Sequence, residues 1–73
     1  MFNRVGVDTM PTRIPHDTRY IAREGYRTCM MTGRYSGSIG NYRWYYAKDG
    51  ILVKKIRGDD QGEWIVPIAK SWL

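Results

Sequence analysis

Few residues of this chain have side chains that could catalyse a reaction or hold a metal. His16 is the only histidine and Cys29 the only cysteine, so an intramolecular disulfide cannot form and a Cys/His zinc site lacks ligands. His16 has no serine or cysteine close in sequence to activate, while Asp59 and Asp60 lie in a glycine-flanked stretch where carboxylates stay hydrated. We therefore expect no catalytic residue, no metal and no cofactor, and interpret Cys29 as a small buried side chain.

The residues suited to recognition are the arginines and tyrosines. Arginine outnumbers lysine eight to four, and its planar guanidinium pairs with carboxylates or phosphates and stacks on aromatic rings. Residues 13–43 hold six arginines and two acidic residues, so this segment carries +4 of the net charge of +5. Interleaved arginine and tyrosine occur both at protein interfaces and in grooves for single-stranded nucleic acid. We predict a partner-binding surface made of Arg19, Tyr20, Arg23, Arg27, Arg34, Tyr35, Arg43 and Tyr45.

The elements that position these residues fit one small α+β domain spanning residues 1–73. A chain of 73 residues is too short for a second folded unit. Pro11 and Pro15 disfavour helix in the first part of the chain, which predicts an extended arm over residues 1–15 and a folded core over 16–73. A short helix is predicted near residues 17–24, capped by Asp17 or Thr18 and ended by Gly25.

The rest of the chain predicts a small antiparallel sheet of three to four strands. Residues 26–32 are rich in strand-forming types, and the glycines and serines of residues 33–40 predict an eight-residue exposed loop. Aromatic and β-branched runs flank Asp49-Gly50, which predicts a hairpin over residues 41–57. A turn at Asp49-Gly50 would pair Trp44 with Lys55 and Tyr46 with Val53. Residues 63–66 predict a further strand, and the core is expected to include Trp44, Trp64 and Trp72.

The longest apolar stretches of the chain are far shorter than a membrane span. Residues 44–47 and 65–69 are the longest candidates, whereas a span needs about 20 apolar residues. The first residues also lack the apolar run of a signal peptide, because Asp8 and Pro11 follow too soon. We therefore expect a cytoplasmic protein that does not enter a membrane and is kept in a reducing compartment.

Two stretches carry a resemblance to a known family: MFNRVGVD at residues 1–8 and YRWYY at residues 42–46. In its length and its arginine- and tyrosine-rich composition, the whole chain resembles the small transcription regulators of lytic Xanthomonas phages. The resemblance implies a protein that binds the β and β′ subunits of host bacterial RNA polymerase near the RNA exit region. It also implies inhibition of initiation by opposing the σ factor, and passage of transcription through terminators.

Two functions thus stay open. The first is a non-enzymatic, phage-type transcription regulator that binds RNA polymerase, with nascent RNA as a further candidate partner. The alternative is a small β-barrel-like domain that binds RNA or single-stranded DNA directly through charge and base stacking. Both functions place the positively charged residues 13–43 at the binding surface. A polymerase offers acidic protein side chains and emerging RNA together, and both attract positive charge.

Overall fold

A computed structural model describes residues 14–73, which form one helix packed on one face of an open antiparallel sheet. The α+β class and the antiparallel sheet are confirmed. Most of the predicted arm, residues 1–13, lies outside the described residues. The four strands are hydrogen-bonded in the order β1-β2-β3-β4. The elements are α1 (His16–Thr32), β1 (Ser36–Ile39), β2 (Tyr42–Ala47), β3 (Gly50–Lys55), β4 (Gly62–Val66) and a 3-10 turn (Lys70–Trp72).

Helix α1 is twice as long as predicted, and the strand predicted over residues 26–32 is wrong. The helix starts after an extended Pro15, without a side-chain cap, and runs through Gly25 to Thr32. It ends at Gly33, whose φ of 77° is left-handed and whose N–H donates to the carbonyl of Cys29 at 2.8 Å. The buried residues recur at helical spacing, which local strand propensity did not reveal. They are Thr18, Ile21, Ala22, Gly25, Tyr26 and Cys29.

The predicted hairpin is present, but its turn lies one residue earlier. Lys48 and Asp49 form the loop, and neither has a positive φ, so the expected type I′ turn at Asp49-Gly50 is absent. Each partner on β3 therefore shifts by two residues: Trp44 faces Val53 and not Lys55. A shift of two residues keeps the same side chains on the same face of the sheet. The observed register favours the core because it sets Trp44 opposite an apolar partner.

The eight-residue loop predicted over residues 33–40 is also wrong, because Ser36–Ile39 form strand β1 and pair with β2. Gly37 is paired with Trp44, and a Cβ on Gly37 would lie 2.8 Å from Cζ2 of that indole. A glycine here leaves space for the ring, so it serves packing and not flexibility. The strand predicted at residues 63–66 is confirmed as β4, Gly62–Val66.

The core lies between α1 and the sheet, and Trp44 is its largest member with only 2% of its surface exposed. It belongs to one buried cluster with Ile51, Val53 and Val66 of the sheet, which confirms Trp44 as a core residue. Cys29 is buried as predicted. Trp64 is only half-buried, whereas Trp72 packs at the edge of the core with its ring 5.9 Å from that of Tyr26.

Thr18 offers a test of this packing, because its side chain is fully buried while its hydroxyl has no hydrogen-bond partner within residues 14–73. Burying an unsatisfied hydroxyl costs about 1–3 kcal/mol. Thr18→Val keeps the shape and removes the hydroxyl, so we expect it to raise the free energy of unfolding by about 1 kcal/mol in urea denaturation. Thr28→Val is the matched control: its hydroxyl donates to the carbonyl of Glu24 at 2.8 Å, so its loss should not stabilise. An equal gain in both variants would contradict the assignment.

Candidate interaction surface

The side of α1 that faces away from the sheet carries a stripe of arginines. Arg19, Arg23 and Arg27 are four residues apart and therefore lie along one side of the helix, next to the buried stripe at Arg19 and further from it at Arg27. Arg19 and Arg27 are exposed, and Tyr20 is half exposed beside them. We call this surface the outer face of α1. It consists of Arg19, Tyr20, Arg23, Arg27, Met30 and Met31.

This arrangement works against the stability of the helix. Like charges four residues apart each destabilise a helix by about 0.2–0.5 kcal/mol, and the outer face contains two such pairs, Arg19–Arg23 and Arg23–Arg27. Within residues 14–73, Glu24 is the only acidic partner of these arginines, with its Oε2 3.4 Å from Nε of Arg23. The charges of the outer face therefore do not contribute to the stability of the helix.

Arg23 is the most constrained arginine of the outer face. Its guanidinium carbon lies 5.4 Å from the centre of the Tyr20 ring, within the range of a cation–π contact. Its Nε is buried and makes no hydrogen bond within the described residues, so the Glu24 contact is an ion pair without a hydrogen bond. The guanidinium is therefore held in place by Tyr20 and Glu24.

The C-terminal end of the outer face is apolar. Met30 is 55% exposed and Met31 is 83% exposed, and both lie one helical turn beyond Arg27. Sequence reasoning missed these two residues, because a strand was predicted where the helix continues. The signal that could have found them is the helical spacing of Thr18, Ala22 and Cys29, which places Met30 and Met31 outside.

Arg34 and Tyr35 follow the helix and extend the same end of the molecule. Arg34 is exposed, and its backbone N–H donates to the Thr32 hydroxyl at 3.3 Å. Tyr35 is 61% exposed, and its ring stands edge-on to Tyr46 with the ring centres 5.7 Å apart. Large exposed side chains held by such contacts lose little conformational entropy when a partner binds.

Arg43 and Tyr45 lie on the face of the sheet that is turned away from α1. They alternate along β2 with Trp44, which faces α1, so their side chains project from the other face of the sheet. The register sets Tyr45 opposite Leu52, and Arg43 opposite Lys54. The structure therefore divides the predicted site into a helix side and a sheet side.

Comparison with known proteins identifies no relative of this chain. No protein-family model, curated protein or solved structure matches the chain. Within residues 14–73 there is also no group of three His, Cys, Asp or Glu side chains that could hold a metal ion. In the same range, no helix has the length and apolar character needed to cross a membrane.

Proposed function

We propose that the protein is a phage-type transcription regulator that binds bacterial RNA polymerase and that the outer face of α1 makes the contact. The observation that carries the proposal is the adjacency of three arginines to two exposed methionines on one helix. Methionine, arginine and tyrosine are enriched in the centres of protein interfaces. The resemblance to the small regulators of lytic Xanthomonas phages supplies the identity of the partner.

The chemistry of the surface suits a protein partner with acidic residues around an apolar centre. Arg19, Arg23 and Arg27 would pair with carboxylates, which gives specificity and a fast encounter. Met30 and Met31 would be buried at the centre, because flexible thioether side chains adapt to irregular pockets. In the proposed complex the partner is the β and β′ subunits near the RNA exit region, and the protein itself carries out no catalysis.

The scaffold expected for the alternative function is not formed by the described residues. A barrel requires its first and last strands to close on each other, whereas β1 and β4 are the two edges of an open sheet. A direct nucleic-acid binder of small-barrel type therefore has less structural support than a protein-binding helix face. In the proposed role the protein acts in the cytoplasm of the bacterial host, where it opposes the σ factor.

Transcription in vitro tests this function. Purified protein added to core polymerase before the σ factor is expected to inhibit initiation at a σ-dependent promoter, and less so when added after holoenzyme has formed. When it is added to stalled elongation complexes, we expect increased read-through of an intrinsic terminator. The Arg57→Glu variant serves as a control, because Arg57 is exposed and lies in the turn after β3, outside α1. Unchanged initiation and unchanged termination at saturating protein would contradict the proposal.

A further inference from the structure

A cleft opens between the first half of α1 and the C-terminal segment. It has a volume of about 310 Å³, and its walls are His16, Arg19, Tyr20, Arg23, Ala69 and Trp72. The 3-10 turn Lys70–Trp72 holds Trp72 at the edge of the core, where its ring packs on buried Tyr26. The cleft therefore has one wall from the helix and another fixed by the core.

The two walls carry different chemistry. The helix wall includes the two arginines Arg19 and Arg23, and the guanidinium carbon of Arg23 lies 5.4 Å from the centre of the Tyr20 ring. The tail wall presents the indole of Trp72. Only Glu24 forms an ion pair with these arginines within residues 14–73, so the cleft keeps an excess of positive charge. Guanidinium groups bind phosphate oxygens through paired hydrogen bonds, and an indole stacks on planar rings.

A ligand with a planar ring and a phosphate could use both walls of the cleft, with the phosphate on the arginines and the ring on the indole. An acidic peptide would use the arginines but would leave the indole without a planar partner. Ligand sites in proteins have volumes of roughly 300–1,000 Å³, so a cleft of about 310 Å³ holds one such unit and not two. We propose that the cleft binds a single nucleotide, with the phosphate on Arg19 and Arg23 and the base against Trp72. The cleft shares Arg19, Tyr20 and Arg23 with the outer face of α1, and it differs from that face in Ala69 and Trp72.

Titration of the isolated protein with adenosine monophosphate, followed by amide resonances in NMR, tests the site. We expect saturable shifts at Arg19, Arg23, Ala69 and Trp72. Arg19→Gln and Trp72→Leu should each weaken binding by about tenfold or more. Arg57→Gln and Trp64→Leu are the matched controls, since Arg57 and the half-buried Trp64 lie outside the cleft, and they should leave binding unchanged. Arg19 is exposed, so its variant tests the site even if Trp72→Leu disturbs folding.

Further probes identify the source of the nucleotide. A single-stranded oligoadenylate of about eight nucleotides that binds far more tightly than the monophosphate would indicate a nucleotide within an RNA strand. Equal affinities would indicate a free nucleotide. The proposal is overturned if inorganic phosphate or oligoglutamate shifts the same resonances with equal affinity, or if no probe shifts them.

Polymerase binding by the same variants separates this site from the proposed function. Trp72→Leu should weaken nucleotide binding and leave polymerase binding unchanged. Met31→Ser should weaken polymerase binding and leave nucleotide binding unchanged, because Met31 lies outside the cleft. Unaltered nucleotide binding in Trp72→Leu would overturn the site without bearing on polymerase binding.

Discussion

Replacing Arg19 and Arg27 together by glutamate is expected to abolish polymerase binding while making the protein slightly more stable. Both side chains are exposed, and each lies four residues from Arg23. The double variant turns two like-charge pairs into opposite-charge pairs and one opposite-charge pair, Glu24–Arg27, into a like-charge pair. The net effect should stabilise the helix by about 0.5 kcal/mol. Against an acidic partner the same changes replace attraction by repulsion. A loss of about 3 kcal/mol or more corresponds to at least a hundredfold weaker binding.

The measurement is the dissociation constant for core polymerase by biolayer interferometry, paired with urea denaturation of the isolated variant. The double variant Lys48→Glu, Arg57→Glu is the matched control, because it makes the same change in net charge at exposed positions in two turns outside α1. We expect the control to bind within a fewfold of the wild type. An equal loss of affinity in both double variants would show that net charge, and not the outer face of α1, governs binding.

Gly25→Ala is expected to destabilise the protein by about 2–3 kcal/mol, although helix propensity alone predicts a gain of about 1 kcal/mol. A Cβ on Gly25 would lie 2.6 Å from Cδ2 and 2.8 Å from Cγ of Trp44. The indole cannot move aside easily, because it is buried between α1 and the sheet. Since a domain of 73 residues has a total stability of roughly 4–11 kcal/mol, this loss is large.

Chemical denaturation of four proteins tests this packing: the wild type, Gly25→Ala, Trp44→Leu and the double variant. With leucine at position 44 the clash is relieved, so alanine at position 25 should then be neutral or stabilising. The interaction free energy from this cycle should be at least about 1 kcal/mol. A Gly25→Ala variant that is more stable than the wild type would contradict the close approach of α1 to Trp44.

Much of the sheet could be predicted because its signals are local. The aromatic run of β2 and the apolar run of β3 flank a short turn, which indicates a hairpin. Trp44 could be predicted as a core residue because large aromatic side chains tend to be buried. The longer helix could not be predicted from local signals, because Gly25 looks like a helix end. Only the contact with Trp44, nineteen residues later, explains a glycine within the helix. Gly37 in β1 was misread as part of a loop for the same reason.

The candidate site was predictable only in part. The choice of Arg19, Arg23 and Arg27 as binding residues follows from the positive charge of residues 13–43. Their alignment on one side of a helix requires the helix to continue past Gly25. The exposure of Met30 and Met31 depends on the helix continuing past Gly25, so it could not be foreseen. The cleft at Trp72 joins parts of the chain about fifty residues apart, and such a juxtaposition requires the tertiary fold.

Direct binding of the purified protein to purified core RNA polymerase at physiological salt, with and without nuclease treatment, tests the central claim. The outer face of α1 predicts a saturable complex that survives nuclease and weakens as salt is raised, because its arginines pair with acidic side chains. Absence of a complex, or a complex that disappears after nuclease treatment, would contradict recognition of the polymerase by this face.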